Sequence, residues 1–175
     1  MVFSYFTKLS APAKRIYRRS DEIPSVPLPD AEKLRPYVER LAKALNEEDR
    51  AGAEELCRAL ASGMATRLRV PPIRLNVLAV RPSASWGELH GLYELSGGRA
   101  SAVISLWMRT AKHRRVVAFR AFLRTFLHEF CHHLDYHLYN LPDSFHTEGF
   151  YKRESSLFHQ LIPQQPQQAH DEFPD

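Results

Sequence analysis

His128-Glu129-Phe130-Cys131-His132 is the stretch on which the reading of this chain turns, and it sits inside the apolar run from Val116 to Leu141. Two histidines four residues apart on a helix lie one above the other, so their imidazoles can converge on one metal ion. Glu129, directly after the first histidine, is swung aside from the pair, where it can hold a water molecule beside the ion. The arrangement needs a helix, and the surrounding residues supply one. Counting about 100° per residue from Phe130, the side chains of Val116, Phe119, Leu123, Phe126, Leu127 and Leu134 gather on one stripe. His128 and His132 fall at about 160° and 200°, opposite that stripe. One face is therefore expected to pack on a core while the other presents two nitrogens to a cleft. Asn140 and Pro142 are expected to end the helix, the first tolerating a left-handed cap and the second unable to continue.

The neighbouring pair His133 and His137 has the same spacing but lies on the flank of the apolar stripe, with Leu134 where a base would stand. These two read as core-flanking or supporting histidines. Cys131, at about 100° on the same count, points to the core side and reads as a small buried hydrophobe. With Cys57 it makes two cysteines, too few for a disulfide framework, and a reduced, cytoplasmic setting is the simplest expectation.

At 175 residues and 44% hydrophobic content the chain is long enough for one domain with a sizeable core. No apolar run approaches the roughly eighteen residues of a membrane span. The net charge of +4 is concentrated at the start, where Lys8, Lys14, Arg15, Arg18 and Arg19 occur without an acid. Residues 1–29, with Pro12, Pro24, Pro27 and Pro29, read as a flexible basic arm that allows a weak nucleic-acid contact through residues 1–20. Residues 163–175 are Pro/Gln-rich and read as a disordered tail, leaving 30–162 as the domain. There is no internal repeat and no glycine-rich phosphate loop.

Within the domain, Asp30 is placed to cap a helix reaching about Asn46, with Leu34, Val38, Leu41 and Leu45 at helical spacing. A second helix is expected from about Asp49 to Leu68. Pro71-Pro72 then changes the pattern, and strands are expected over Ile73–Val80, Leu89–Leu95 and Ala102–Met108, with a turn at Gly97-Gly98. A last helix is expected from about Thr147 to Ile162.

A catalytic zinc site takes three protein ligands and keeps a fourth position open. His146 is one candidate for the third: the helix travels roughly 12 Å from His132 to Asn140, and residues 141–146 can span up to roughly 20 Å to return. Glu154, about two turns beyond, is the alternative, and only one of the two is expected to reach the ion. His146 is favoured because imidazole is the commoner ligand.

The pattern His128-Glu129-x-x-His132, followed by His146-Thr147-Glu148-Gly149-Phe150, resembles the SprT-like zinc metallopeptidases over roughly residues 70–162. The resemblance implies an α+β, zincin-like fold, with a small three-stranded sheet packed on the HExxH helix, helices before it and one helix after it. It also implies zinc-dependent peptide hydrolysis, in some members on DNA-bound proteins. The small peptidases whose third ligand is a glutamate share the HExxH motif, and they would promote Glu154.

On this reading one Zn2+ on His128, His132 and His146 activates water and polarises the scissile carbonyl of a peptide or protein substrate. Glu129 is the general base. Tyr151 or Arg153 is placed to stabilise the oxyanion. Asp135, on the ligand face at about 140°, either orients a ligand histidine or is simply solvated. The competing expectation is a metal-stabilised binding module without turnover, whose basic arm engages nucleic acid or protein.

Overall fold

The computed structural model describes residues 3–85, 87–95 and 102–162. A short 3-10 helix at Ser4–Lys8 leads into helix α1 (Ala11–Asp21). A second 3-10 turn, Ala31–Leu34, precedes α2 (Arg35–Asn46) and α3 (Arg50–Leu68). Strand β1 (Arg74–Val80) follows, then the two-residue strands β2 (Ser83–Ala84) and β3 (Gly87–Glu88), then β4 (Gly91–Leu95) and β5 (Ala102–Arg109). Helices α4 (Phe119–His137) and α5 (Glu148–Leu161) complete the described chain. The result is a mixed α+β fold built of five α-helices and a small three-stranded sheet among the described residues.

The sheet has the order β1-β5-β4, with β1 parallel and β4 antiparallel to β5. Leu75 pairs with Ile104 and Val77 with Leu106. All four are buried, together with Met108, on the face covered by the helices. The alternating positions Arg74 and Leu78 are exposed, as a sheet covered on one face requires. Leu41, Leu60, Met64, Phe126, Phe130 and Phe158 join these strand residues in one continuous core.

The three expected strands are all present, and the expected turn at Gly97-Gly98 lies outside the described residues. Helix boundaries differ where a specific residue intervenes. Asp30 takes a left-handed conformation (φ 50°) and its carboxylate pairs with Lys33 instead of capping a helix. Pro36, pre-set for a first helical turn, sets the start of α2 instead. Val116 bridges to Arg109 and extends the sheet, so α4 begins only at Phe119. At its far end Asn140 adopts φ 51°, and Leu141 N–H returns to Asp135 O at 2.8 Å, the stop expected of that residue.

The largest departure is the amino-terminal segment. Residues 3–29 are not a detached flexible arm. Ser10 caps α1 by accepting from Ala13 N–H, Pro12 occupies its first turn, and Tyr17, Ser20, Val26 and Leu28 are buried against the domain. Proline in a first helical turn favours the helix, which is why counting prolines as breakers misread this stretch. The tail 163–175 lies outside the described residues.

Candidate metal centre

Helix α4 carries its two motif histidines as the 3.6-residue repeat requires. Phe122, Leu123, Phe126, Leu127, Phe130 and Leu134 are buried, while His128 and His132 open into a cleft of about 630 Å³. Cys131 is fully buried and free. After Asn140 the chain turns back, and Thr147 caps α5 by accepting from Phe150 N–H at 2.9 Å. His146, one residue before that cap, is thereby delivered to the mouth of the cleft.

The three imidazoles meet through their Nε2 atoms. His146 Nε2 stands 2.9 Å from His128 Nε2 and 3.1 Å from His132 Nε2. Tetrahedral zinc–imidazole geometry separates ligand nitrogens by roughly 3.3 Å, so the cluster has nearly the shape a metal would impose. The outward nitrogens explain the direction of the inward ones. His128 Nδ1 faces the Glu154 carboxylate at 3.3 Å, and His132 Nδ1 faces Ser144 Oγ at 2.7 Å. A proton on each Nδ1 satisfies these partners and leaves the Nε2 lone pairs pointing at one another. Three such groups fit a shared cation better than they fit each other. Burial, followed by repulsion from the neighbouring histidines, lowers His132 to about 3 and His146 to about 4, so these two imidazoles are neutral at pH 7.

Glu154 is not among the converging atoms. It stands behind His128, where it can orient that imidazole, and is also held by Arg124 at 3.1 Å. Asp135 is fully buried, which removes the solvated alternative. Its Oδ2 accepts from Ser144 Oγ at 2.7 Å, and Ser144 in turn faces His132. Burial raises the Asp135 carboxyl above its ordinary range, against the pull of Arg153 and Ser144.

Arg153 is displaced from its expected position. Its guanidinium is fully buried, 2.7 Å from Asp135 Oδ1 and 2.7 Å from Ser20 O, and it is absent from the cleft lining. An arginine on α5 facing the core joins the helices instead of meeting substrate. Tyr151 is likewise absent from the cleft lining; it is exposed, with its ring 6.0 Å from those of His128 and His146. His133 takes the supporting part expected of it, donating from Nε2 to Pro71 O at 2.9 Å with its Nδ1 3.3 Å from Tyr93 Oη, and His137 packs its ring 4.4 Å from that of His133.

Glu129 lies in the cleft at 7% exposure. Burial raises its carboxyl to about 7, against the lowering pull of His128 and a hydrogen bond from the Tyr93 backbone. A carboxylate tuned towards neutrality can both take and return a proton. Gly91 on β4 makes room for it: a β-carbon there would stand 2.5 Å from Glu129 Oε1 and 2.8 Å from Thr125 Cγ2.

Tyr93, Gly91, Ser144 and Arg124 belong to the site and were not foreseen. Tyr93 stacks its ring 6.2 Å from that of His132. The pairing of β4 with β5 puts it there, and a lone sequence does not reveal strand register. Among the described residues, His128, His132 and His146 are the group able to hold a metal ion.

Comparison with protein-family models, with curated proteins and with solved structures finds no match to this chain.

Proposed function

We propose that this protein is a zinc-dependent metallopeptidase of the SprT-like kind, with a zincin-like fold. The observation that carries the reading is the convergence of the His128, His132 and His146 Nε2 atoms beside a desolvated Glu129 in an open cleft. A Zn2+ held by those nitrogens supplies Lewis acidity, polarising a carbonyl and acidifying a water molecule. Glu129, desolvated in the cleft, would be the group that accepts a proton from the attacking water and returns it to the departing amine. Glu154 and the Ser144–Asp135 pair keep the two helix histidines in the tautomer that directs Nε2 inward. Strand β4 lies at the edge of the sheet and lines the cleft through Gly91 and Tyr93, so an extended peptide can lie along it.

A purely structural metal site has no use for a base, and the space that Gly91 leaves for Glu129 favours the enzyme over the binding module. No helix among the described residues is long and apolar enough to cross a membrane. The test is zinc stoichiometry together with hydrolysis of a random peptide library. One bound zinc and cleavage that disappears in Glu129→Gln are expected. Zinc bound without any cleavage would favour the binding module, and no zinc bound would end both readings.

A further inference from the structure

His146 differs from the other two histidines of the cluster in how it is held. His128 and His132 each have a partner on the outward nitrogen, Glu154 and Ser144. Among the described residues, His146 Nδ1 has no hydrogen-bond partner. It also rides on a loop, between Asn140 and α5, instead of on a helix. Its place is fixed by the backbone, and the amino-terminal segment grips that backbone. Tyr5 Oη donates to His146 O at 2.7 Å, across 141 positions of sequence. On either side of the histidine the same segment continues the grip. Tyr17 packs its ring 6.3 Å from Phe145, and Phe3 lies 5.8 Å from Tyr151. Further along, Gly149 N–H donates to Asp21 Oδ1 at 2.8 Å, and a β-carbon on Gly149 would strike the backbone of Ser20 and Asp21.

We propose that Tyr5 is a positioning residue for His146, and that residues 3–21 form a strap whose docking completes the metal centre. This rests on His146 being a metal ligand and not on catalysis. A ligand without a side-chain partner of its own is placed by whatever holds its main chain, and outer partners of ligands commonly tune metal affinity. The coupling must run both ways: if the docked strap favours metal, bound metal favours the docked strap.

The test uses the full chain with zinc as the probe. Affinity is measured by competition with a chromophoric chelator, for wild type and Tyr5→Phe, alongside the melting temperature of each protein freed of metal. Tyr5→Phe keeps the ring and loses only the hydroxyl. It is expected to leave the metal-free melting temperature unchanged and to weaken zinc binding about 3- to 10-fold, the scale of one hydrogen bond. As the reciprocal readout, zinc is expected to slow tryptic cleavage after Lys8 in wild type, and to slow it less in Tyr5→Phe. Equal zinc affinity in the two proteins would overturn the proposal. So would a drop in metal-free stability large enough to account for the weaker binding, because Tyr5 would then be an ordinary packing contact. A wild type that binds no zinc would instead overturn the zinc reading itself, which keeps the two failures apart.

Discussion

Glu154 Oε2 stands 3.3 Å from Nδ1 of His128, the nitrogen that faces away from the histidine cluster. A carboxylate in that place fixes the tautomer and raises the basicity of the ligand without touching the ion. Glu154→Ala is therefore expected to weaken zinc binding about 10- to 100-fold while keeping one site per chain. His146→Ala removes a ligand and is expected to cost more than that. Zinc titration of the two variants gives the ranking. If Glu154→Ala loses the metal while His146→Ala keeps it, the third ligand is the glutamate.

Gly91→Ala probes the contact between β4 and Glu129. The new methyl would stand 2.5 Å from Glu129 Oε1, so the carboxylate must move. A displacement of about 1 Å at a catalytic group costs on the order of 100-fold in rate. We expect kcat/KM to fall by about that factor with zinc affinity unchanged, since no ligand is touched. Wild-type turnover in this variant would mean that Glu129 does not act from the position β4 gives it.

Acid should destabilise the metal-free protein through its buried histidines. Burial lowers His133 to about 4 from an ordinary 6.5, so the unfolded chain takes up its proton first as pH falls. Stability is fully present above pH 6.5 and is lost progressively down to about 4, with His146 and His132 shifted in the same direction. Glu129 works in the opposite sense. Its pKa is raised from 4.5 to about 7, so folding gains as pH falls between those values. Glu129→Gln should therefore show a steeper loss of melting temperature between pH 6.5 and 4.5 than the wild type. Parallel curves for the two proteins would contradict these shifts.

The buried network around Arg153 predicts that the amino-terminal segment is part of the domain. Arg153 is fully buried and bonds Asp135 on α4, the Ser20 carbonyl within α1 and the Ile23 carbonyl just beyond it. Removing one partner of a buried ion pair costs about 3–5 kcal/mol. Arg153→Ala is expected to show a loss of that size in urea unfolding. Deleting residues 1–21 uncovers the same guanidinium and the cavity left by Tyr17, and should be at least as damaging. An unchanged urea midpoint in the truncated protein would show that the segment is dispensable to the fold.

Much of the site was legible because it rests on short-range rules. The i,i+4 spacing of His128 and His132 put both nitrogens on one face, and chain length alone allowed His146 to come back to them. The burial of Cys131 and the supporting part of His133 followed from the same angular count. Glu154 was the alternative third ligand on spacing, and its carboxylate stands behind His128 instead of among the converging atoms; spacing cannot separate those two places, since the distinction is an ångström-scale matter of side-chain direction. Arg153 was misplaced for the same reason. The contribution of β4 through Gly91 and Tyr93 depends on register, and the docking of α1 depends on contacts more than 100 positions apart, such as Arg153 to Ser20. Neither leaves a periodic trace in sequence.

The pairing of Tyr5 with His146 also dictates an order of events during synthesis. Ribosomes release a chain from its amino-terminal side, so residues 3–21 emerge well before the loop and helix they clasp, which are among the last of the described residues to appear. For most of translation the His128–His132 pair, too, is unmade or incomplete. The seat of the third imidazole is therefore completed only after the loop and helix at the far end of the described chain have been made, whatever the rest of the cleft has already formed.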